Sequence, residues 1–282
     1  MRQRLPEYLK RPIIDTEKTR EVRKILKVNM LNTVCENARC PNKNECYTNH
    51  TATFLIMGSN CTRNCKYCNI SCAKPEPLDM KEPEHIALAV KALGLKYAVL
   101  TSVTRDDLHD GGAQHFADCI TEIRKISPDT KIEILTPDFK GDEKALDIII
   151  KANPEVFNHN IEAVRNVFKT ARPQGNYDIS LKVLKYIKDN SQIKTKSGLM
   201  IGLGENFEQI KETLTDLHDA GCDILTIGQY IQPSKEHLPV AKYYELSEYE
   251  ELKKLAKSVG ITQYKIGPLV RSSYHAASLA EK

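Results

Sequence analysis

The residues in this 282-residue chain with the most chemistry to offer are its nine cysteines, and six of them fall between positions 35 and 68. They form two sets. Cys35, Cys40 and Cys46 are spaced C-x4-C-x5-C, and Cys61, Cys65 and Cys68 are spaced C-x3-C-x2-C. Thiolate is the soft ligand that iron–sulfur clusters take, and four ligands complete a [4Fe–4S] cube. Three cysteines in one loop therefore leave one iron without a local protein ligand, and a metal with a vacant position can bind substrate. Disulfides fit poorly, because no secretory signal opens the sequence and cytosolic thiols stay reduced. Structural zinc wants four ligands, commonly as paired C-x2-C units. Neither set supplies that pattern, although the two together could donate to one site. Cys72, four residues past Cys68, could act as a spare ligand. Cys119 and Cys222 fall in or beside apolar helical patterns and read as core thiols. The eight histidines are scattered and show no metal spacing.

These loops need a scaffold. Hydrophobic residues make up 41% of the chain and charged residues 28%, ordinary for a globular protein, and 282 residues suit one large α/β domain or two small ones. A net charge of +4 does not call for nucleic acid, which leaves a clustered basic face. No apolar run approaches the roughly 20 residues that a membrane helix needs. The opening residues carry Arg2, Arg4, Lys10 and Arg11, but Glu7 and two prolines interrupt any amphipathic transit helix, so a cytoplasmic protein is expected. From residue 53, short apolar runs alternate with helical patterns about every thirty residues. The expected strands are Thr53–Gly58, Tyr97–Thr101, Lys131–Thr136, Val156–Ile161, Ser197–Gly202, Asp223–Gly228 and Gln263–Gly267. Helices are expected over 16–28 with Thr16 as cap, 178–189 capped by Asp178, 206–220, and 247–258 with a Ser247–Glu250 capping box. Alternation of this kind implies parallel strands with helical crossovers, and six or seven units make a closed or partial barrel.

In a barrel, active groups sit just past the C-terminal ends of strands. The second cysteine loop follows the first expected strand. Paired glycines, Gly111 and Gly112, follow the second; they would let backbone approach a ligand, or simply make a turn. At the fourth, Asn158, Asn160 and Glu162 alternate onto one side of a strand, and an amide with a carboxylate can hold a ribose diol. His159 points the other way and reads as packed. Arg172 could grip a carboxylate with two hydrogen bonds or lie solvated on the surface. Gln229 and Tyr230 at the sixth strand end could face a pocket.

The C-x3-C-x2-C run with Tyr67 before its last cysteine resembles radical S-adenosylmethionine (SAM) enzymes. With Cys35, Cys40 and Cys46 upstream and Arg271-Ser272-Ser273-Tyr274 near the end, the chain resembles the lipoyl synthase family. Asn158-His159-Asn160-Ile161-Glu162 is similar to the ribose-binding strand of biotin and lipoyl synthases. The resemblance implies a [4Fe–4S] cluster on Cys61, Cys65 and Cys68 that binds SAM through its open iron and, once reduced, cleaves it. It implies a second [4Fe–4S] cluster on Cys35, Cys40, Cys46 and Ser273, with Ser272 as the fallback, that supplies sulfur and is consumed. Asn160, Glu162 and Arg172 become SAM contacts; beyond the clusters no catalytic residue is expected. The implied reaction inserts sulfur at C6 and C8 of an octanoyl chain on a carrier lysine. The implied partners are an octanoylated lipoyl carrier domain or glycine-cleavage H protein, and an electron donor of ferredoxin or flavodoxin type, with no nucleic acid and no membrane. Gln174 departs from the family's usual Arg-Pro-Gly. The expected architecture is α/β, a partial (β/α)6-type TIM barrel: residues 1–52 form an arm with the auxiliary loop, 53–267 the barrel, and 268–282 a segment closing on the auxiliary cluster. The alternatives are another radical SAM enzyme with an auxiliary cluster, or a non-catalytic iron–sulfur electron carrier.

Overall fold

The computed structural model describes residues 4–12 and 15–280. Residues 1–3 (Arg2 among them) and 13–14 of the expected arm, and residues 281–282 of the expected closing segment, lie outside the described residues. The chain forms two compact units. One comprises Arg11–Arg63 and Asn69–Phe157; the other comprises the residues up to Lys10, Asn64–Cys68, and everything from Asn158 on.

In the first unit, strands β1 (Asn32–Thr33), β2 (Thr53–Ile56), β3 (Tyr97–Ser102) and β4 (Lys131–Leu135) lie side by side. β1 is antiparallel to β2, with Asn32 opposite Leu55. The others are parallel, Thr53 opposite Val99 and Tyr97 opposite Lys131. β2 reads Thr-Phe-Leu-Ile with all four residues buried, as a parallel strand covered on both faces should. Crossover helices Glu82–Ala92, Ala113–Ile126 and Glu143–Ala152 contribute Ile86, Val90, Phe116, Ile120, Ile123, Leu146 and Ile149 to the core. The N-terminal helix Glu17–Val28 starts where expected. Thr19 takes the part a glutamate would play in a capping box: Thr16 N–H donates to its hydroxyl at 2.9 Å, and Thr19 N–H donates back to Thr16 Oγ1 at 3.2 Å.

β5 (Val156–Asn158) leads from the first unit into the second, where β6 (Lys194–Ile201), β7 (Ile224–Gln229) and β8 (Gln263–Gly267) are parallel, with Ile224 opposite both Lys196 and Gln263. Helices Tyr177–Asn190, Phe207–Asp219 and Leu246–Ser258 cover them with Val183, Leu184, Ile187, Ile210, Leu214, Leu217, Leu252 and Ala256. Two caps differ from expectation. Asn176, not Asp178, caps the first of these helices, its side-chain oxygen accepting from the N–H groups of Asp178 and Ile179. The last begins at Leu246, with the Glu248 carboxylate accepting from Glu245 N–H at 2.9 Å, so Ser247 and Glu250 form no box.

Cys119 and Cys222 are buried thiols, as expected; the Cys222 S–H donates to Ile224 O. At Gly228 a Cβ would stand 2.0 Å from the carbonyl oxygen of Val270. Gly228→Ala is therefore expected to cost about 1–3 kcal/mol of stability, read by chemical denaturation. Among the described residues no helix is long and apolar enough to cross a membrane.

Candidate active site

Cys35, Cys40 and Cys46 are brought together by two short helices, Val34–Asn37 and Lys43–Thr48. Thr33 caps the first by accepting from Glu36 N–H. Its hydroxyl also meets the hydroxyl of fully buried Tyr47 at 2.9 Å, which ties the two helices to one anchor. Arg39, in the left-handed region at φ 50°, turns the chain between them, and Cys40 N–H donates to Cys35 O. Burial pushes the Cys35 thiol up to about 11, with the neighbouring Cys40 adding to it. Burial and then Cys35 and Cys40 push Cys46 up to about 12. Burial disfavours the thiolate forms of Cys35 and Cys46; a cationic metal–sulfur core is the partner that would deprotonate such thiols. The donor set therefore fits a cluster. No disulfide joins any of the nine cysteines. Among the described residues, no three His, Cys, Asp or Glu side chains surround a point where one bare ion could sit, whereas a cube spreads its ligands over separate irons.

The second set follows β2. Met57 (φ 65°) and Gly58 (φ 89°) turn the chain out of the strand. That turn is pinned by buried Glu82, whose Oε2 accepts from Met57 N–H at 2.8 Å and lies 2.7 Å from His115 Nε2. Cys61 Sγ accepts from the backbone N–H groups of Arg63 (3.4 Å) and Thr104 (3.3 Å), the kind of donation that suits a ligating sulfur. In the second unit, Lys66 N–H donates to Ala171 O and Leu238 N–H donates to Lys66 O, at 2.8 and 2.9 Å. His237 Nε2 lies 2.9 Å from Cys68 O. Gln174, the departure from Arg-Pro-Gly, accepts from Asn64 N–H at 2.8 Å. Cys72 is exposed and pairs in register with Cys61 in a two-residue parallel ladder, Asn60–Cys61 with Ser71–Cys72.

The second unit also gathers Asn160, Glu162 and Arg172. Regular strand ends at Asn158, three residues short of expectation, because Glu162 takes a left-handed backbone (φ 70°) and rejoins the sheet by a single bridge to Leu199. Simple alternation past Asn158 therefore does not hold. The three side chains still converge: Asn160 Nδ2 donates to Glu162 Oε1 at 3.1 Å, and Arg172 donates to Asn160 O at 3.1 Å. Arg172 is buried over the Phe168 ring, which removes the solvated-surface reading. Ser272 bridges two amides, accepting from Asn158 Nδ2 at 2.7 Å and donating to Asn160 Oδ1 at 2.9 Å. The Ser273 hydroxyl makes no hydrogen bond among the described residues. Gly198 makes room: a Cβ there would lie 2.7 Å from Asn160 Oδ1. His159 is buried, as expected.

Burial raises the Glu162 carboxyl above its usual value, although Arg172, Asn160, Arg271 and Tyr67 oppose the rise. A carboxyl raised on folding contributes stability below its unfolded pKa and loses it as pH climbs through the folded one. At pH 8 its ionisation therefore counts against the ligand-free fold. Glu162→Gln is expected to raise the ligand-free melting temperature at pH 8 by about 2–4 °C and to narrow that gain toward pH 4, checked by scanning calorimetry.

Two expected site features are structural. Gly112 N–H and Gln114 N–H both donate to the Asp110 carboxylate, so the helix start after the paired glycines is filled by the chain itself. Gly112 takes φ 91°, a left-handed backbone that side chains rarely adopt, and a Cβ there would in addition meet Met57 Sδ at 2.3 Å. Gln229 is fully buried: its amide nitrogen serves the carbonyls of Ile201, Tyr230 and Lys242, and its oxygen accepts from Tyr244 N–H. Tyr230 is buried with its hydroxyl on Leu238 O. Sequence reasoning missed Arg63, inside the second cysteine loop, which is buried and bonded to Asp106 and Asp138. A charged residue between two cysteines of the C-x3-C-x2-C run was the available signal.

Residues 55–217 match the model of the radical SAM superfamily. Over 277 residues the chain is 50% identical to the lipoyl synthase of Caldicellulosiruptor saccharolyticus, covering 98% of this chain and 97% of that protein. Over 281 residues it is 47% identical to the lipoyl synthase of Thioalkalivibrio sulfidiphilus, covering 99% and 88%. The chain belongs to the lipoyl synthase family. Family membership makes it a radical SAM enzyme, with SAM and two [4Fe–4S] clusters as cofactors. Among solved structures, methylornithine synthase PylB superposes with a TM-score of 0.58 at 14% identity, covering 86% of this chain and 70% of that one. The hydrogenase maturase HydG superposes with 0.60 at 13% identity, covering 75% and 50%. These likenesses show the α/β partial-barrel fold.

Proposed function

We propose that this lipoyl synthase family member inserts two sulfur atoms, at C6 and C8, into an octanoyl chain amide-linked to a lysine of a carrier protein, giving the lipoyl group. When bound, the two clusters and SAM supply the 5′-deoxyadenosyl radical and the sulfur. The chain's own residues bind and orient. Cys61, Cys65 and Cys68 hold one cluster, with the amides of Arg63 and Thr104 supporting the Cys61 sulfur. Asn160 and Glu162 offer an amide and a carboxylate to the ribose diol of SAM, and Arg172 fixes the peptide they stand on. Cys35, Cys40 and Cys46 hold the auxiliary cluster with Ser273 as fourth ligand. The choice of Ser273 over Ser272 is supported by hydroxyl use: Ser272 is committed to Asn158 and Asn160. Serine would be a weak, hard ligand for iron, held less firmly than the three thiolates.

The observation that carries the reading is the convergence of Cys35, Cys40 and Cys46, which a radical SAM enzyme needs only if it holds a second cluster. On this reading residues 1–52 form the arm with the auxiliary loop, 53–267 the barrel and 268–282 the closing segment. The partners are an octanoylated lipoyl carrier domain or glycine-cleavage H protein and a ferredoxin- or flavodoxin-type donor, in the cytoplasm. The test uses anaerobically reconstituted protein, SAM, a strong reductant and an octanoyl-lysyl carrier peptide, following 5′-deoxyadenosine and peptide mass together. Deoxyadenosine with two sulfurs gained by the peptide supports the reading. Deoxyadenosine with an unchanged peptide moves the substrate elsewhere.

A further inference from the structure

We propose that Arg63 is a positioning residue that sets the C-x3-C-x2-C loop in place for its cluster, through a buried two-carboxylate clamp on Asp106 and Asp138. The inference rests on the function proposed above, since it concerns the cluster of that loop.

The loop leaves β2 at Met57 and has no regular structure of its own beyond the rung at Asn60–Cys61. Its register comes from the segment following β3. Thr62 N–H and the Thr62 hydroxyl both donate to Thr104 O at 3.0 Å. Asp106 N–H donates to Thr62 Oγ1 at 3.1 Å, and Thr104 N–H reaches Cys61 Sγ. Arg63 then closes the arrangement. Its Nε and one terminal nitrogen donate to the two oxygens of Asp106 at 2.7 and 2.9 Å. Its two terminal nitrogens donate to the two oxygens of Asp138 at 2.6 and 2.7 Å. A guanidinium presents its donors in a fixed fork, so two bidentate carboxylates fix its plane as well as its place. Asp138 is itself held, accepting from Lys140 N–H at the turn after β4. The first part of the loop, Cys61–Arg63, is thus fastened to the segments following two neighbouring strands by one side chain that stands between Cys61 and Cys65 in the sequence.

The fastening matters because a cluster must capture its cysteines together. A loop ordered beforehand offers them in place; a loose one must be ordered by the metal, which weakens binding. The two carboxylates are unequal. The Asp138 side chain is 3% exposed and that of Asp106 26% exposed, with Lys140 3.7 Å from Asp106. Loss of charge at Asp138 leaves the buried guanidinium with less compensation than the same loss at Asp106.

The test reconstitutes the full chain and its variants Arg63→Lys, Asp138→Asn and Asp106→Asn under anaerobic conditions. It measures iron and sulfide per chain, far-ultraviolet circular dichroism, and the electron paramagnetic resonance of the dithionite-reduced protein with and without SAM. Lysine keeps the charge but cannot fork. In folded Arg63→Lys, iron is expected to fall from about eight toward about four per chain, with loss of the SAM-induced spectral change. Asp138→Asn is expected to lose more than Asp106→Asn, and Arg63→Lys/Asp138→Asn no more than Arg63→Lys alone. Should Arg63→Lys fail to fold, the ordering of the two Asp variants decides. Wild-type iron and an unaltered SAM response in every folded variant would overturn the proposal, as would equal loss of both clusters. A wild-type protein that binds iron but shows no SAM response would instead overturn the functional reading.

Discussion

Cys65→Ala is expected to form no detectable 5′-deoxyadenosine from SAM, while still binding about four irons per chain. Cys65 belongs to the central loop whose three cysteines are the only protein ligands proposed for that cluster, so removing one leaves two, too few for a stable cube with an open iron. The neighbouring contacts of the loop, Lys66 N–H on Ala171 O and Leu238 N–H on Lys66 O, are main-chain bonds that the substitution leaves in place. The fold should therefore survive. Loss should be at least a thousandfold, at the background of the assay, because the radical arises only where SAM meets the cluster. Product analysis by liquid chromatography and iron analysis on the same sample check both halves. Deoxyadenosine formation near wild-type would remove the Cys61–Cys65–Cys68 assignment.

Cys40→Ala is expected to separate the two halves of the reaction. SAM cleavage should persist within about tenfold of wild-type, yet the octanoyl peptide should gain no sulfur. The reason lies in where the three upstream cysteines sit. Their two helices are anchored by Thr33 and Tyr47, contacts that do not involve the second cysteine loop. Cys40 itself is partly exposed, on the turn formed by Arg39, so its truncation leaves no large buried void. Peptide mass spectrometry alongside deoxyadenosine gives the answer, and a peptide that still acquires two sulfurs would end the donor role of the auxiliary cluster.

The parts of this molecule that the sequence made legible are those in which one physical demand dominates. β2 and β3 are largely apolar runs of the length a doubly covered strand requires, and the helix Phe207–Asp219 carries its apolar face at the right period. The sequence pattern starts β6 three residues late, at Ser197, because Lys194, Thr195 and Lys196 look like solvent-facing residues. In the fold Thr195 and Lys196 are fully buried, and Thr195 bonds Gly221 O and Asp223. Pattern reading assigns polar residues to the outside, and a buried, partnered polar residue defeats it. The same limit explains the site. Asn160, Glu162 and Arg172 could be nominated by type, but the positive φ at Glu162 that brings its carboxylate to Asn160 leaves no trace in residue spacing. Gln229, a polar residue at a strand end, reads as facing a pocket; it serves instead as an internal cap on three carbonyls. Gly112 reads equally as a ligand platform or a turn, and its left-handed φ of 91° makes the turn whose N–H groups donate to Asp110. Long-range polar partners such as Arg63 with Asp138, 75 residues apart, lie outside what a local pattern can express.

The exposed Cys72, opposite Cys61 on the same rung, turns the cysteine inventory into a measuring device. Cys119 and Cys222 are sealed in the core, their thiols pushed up by burial, so a mild alkylating reagent passes them by. Cys72 lies on the surface and is alkylated whatever the state of the metal sites. Under the proposed ligand set the remaining six cysteines are masked when both clusters are in place and uncovered as they are lost. Peptide-resolved counting of alkylated sulfurs, with Cys72 as internal standard, would then report the occupancy of each site separately. In a turnover experiment it would show which of the two sites empties.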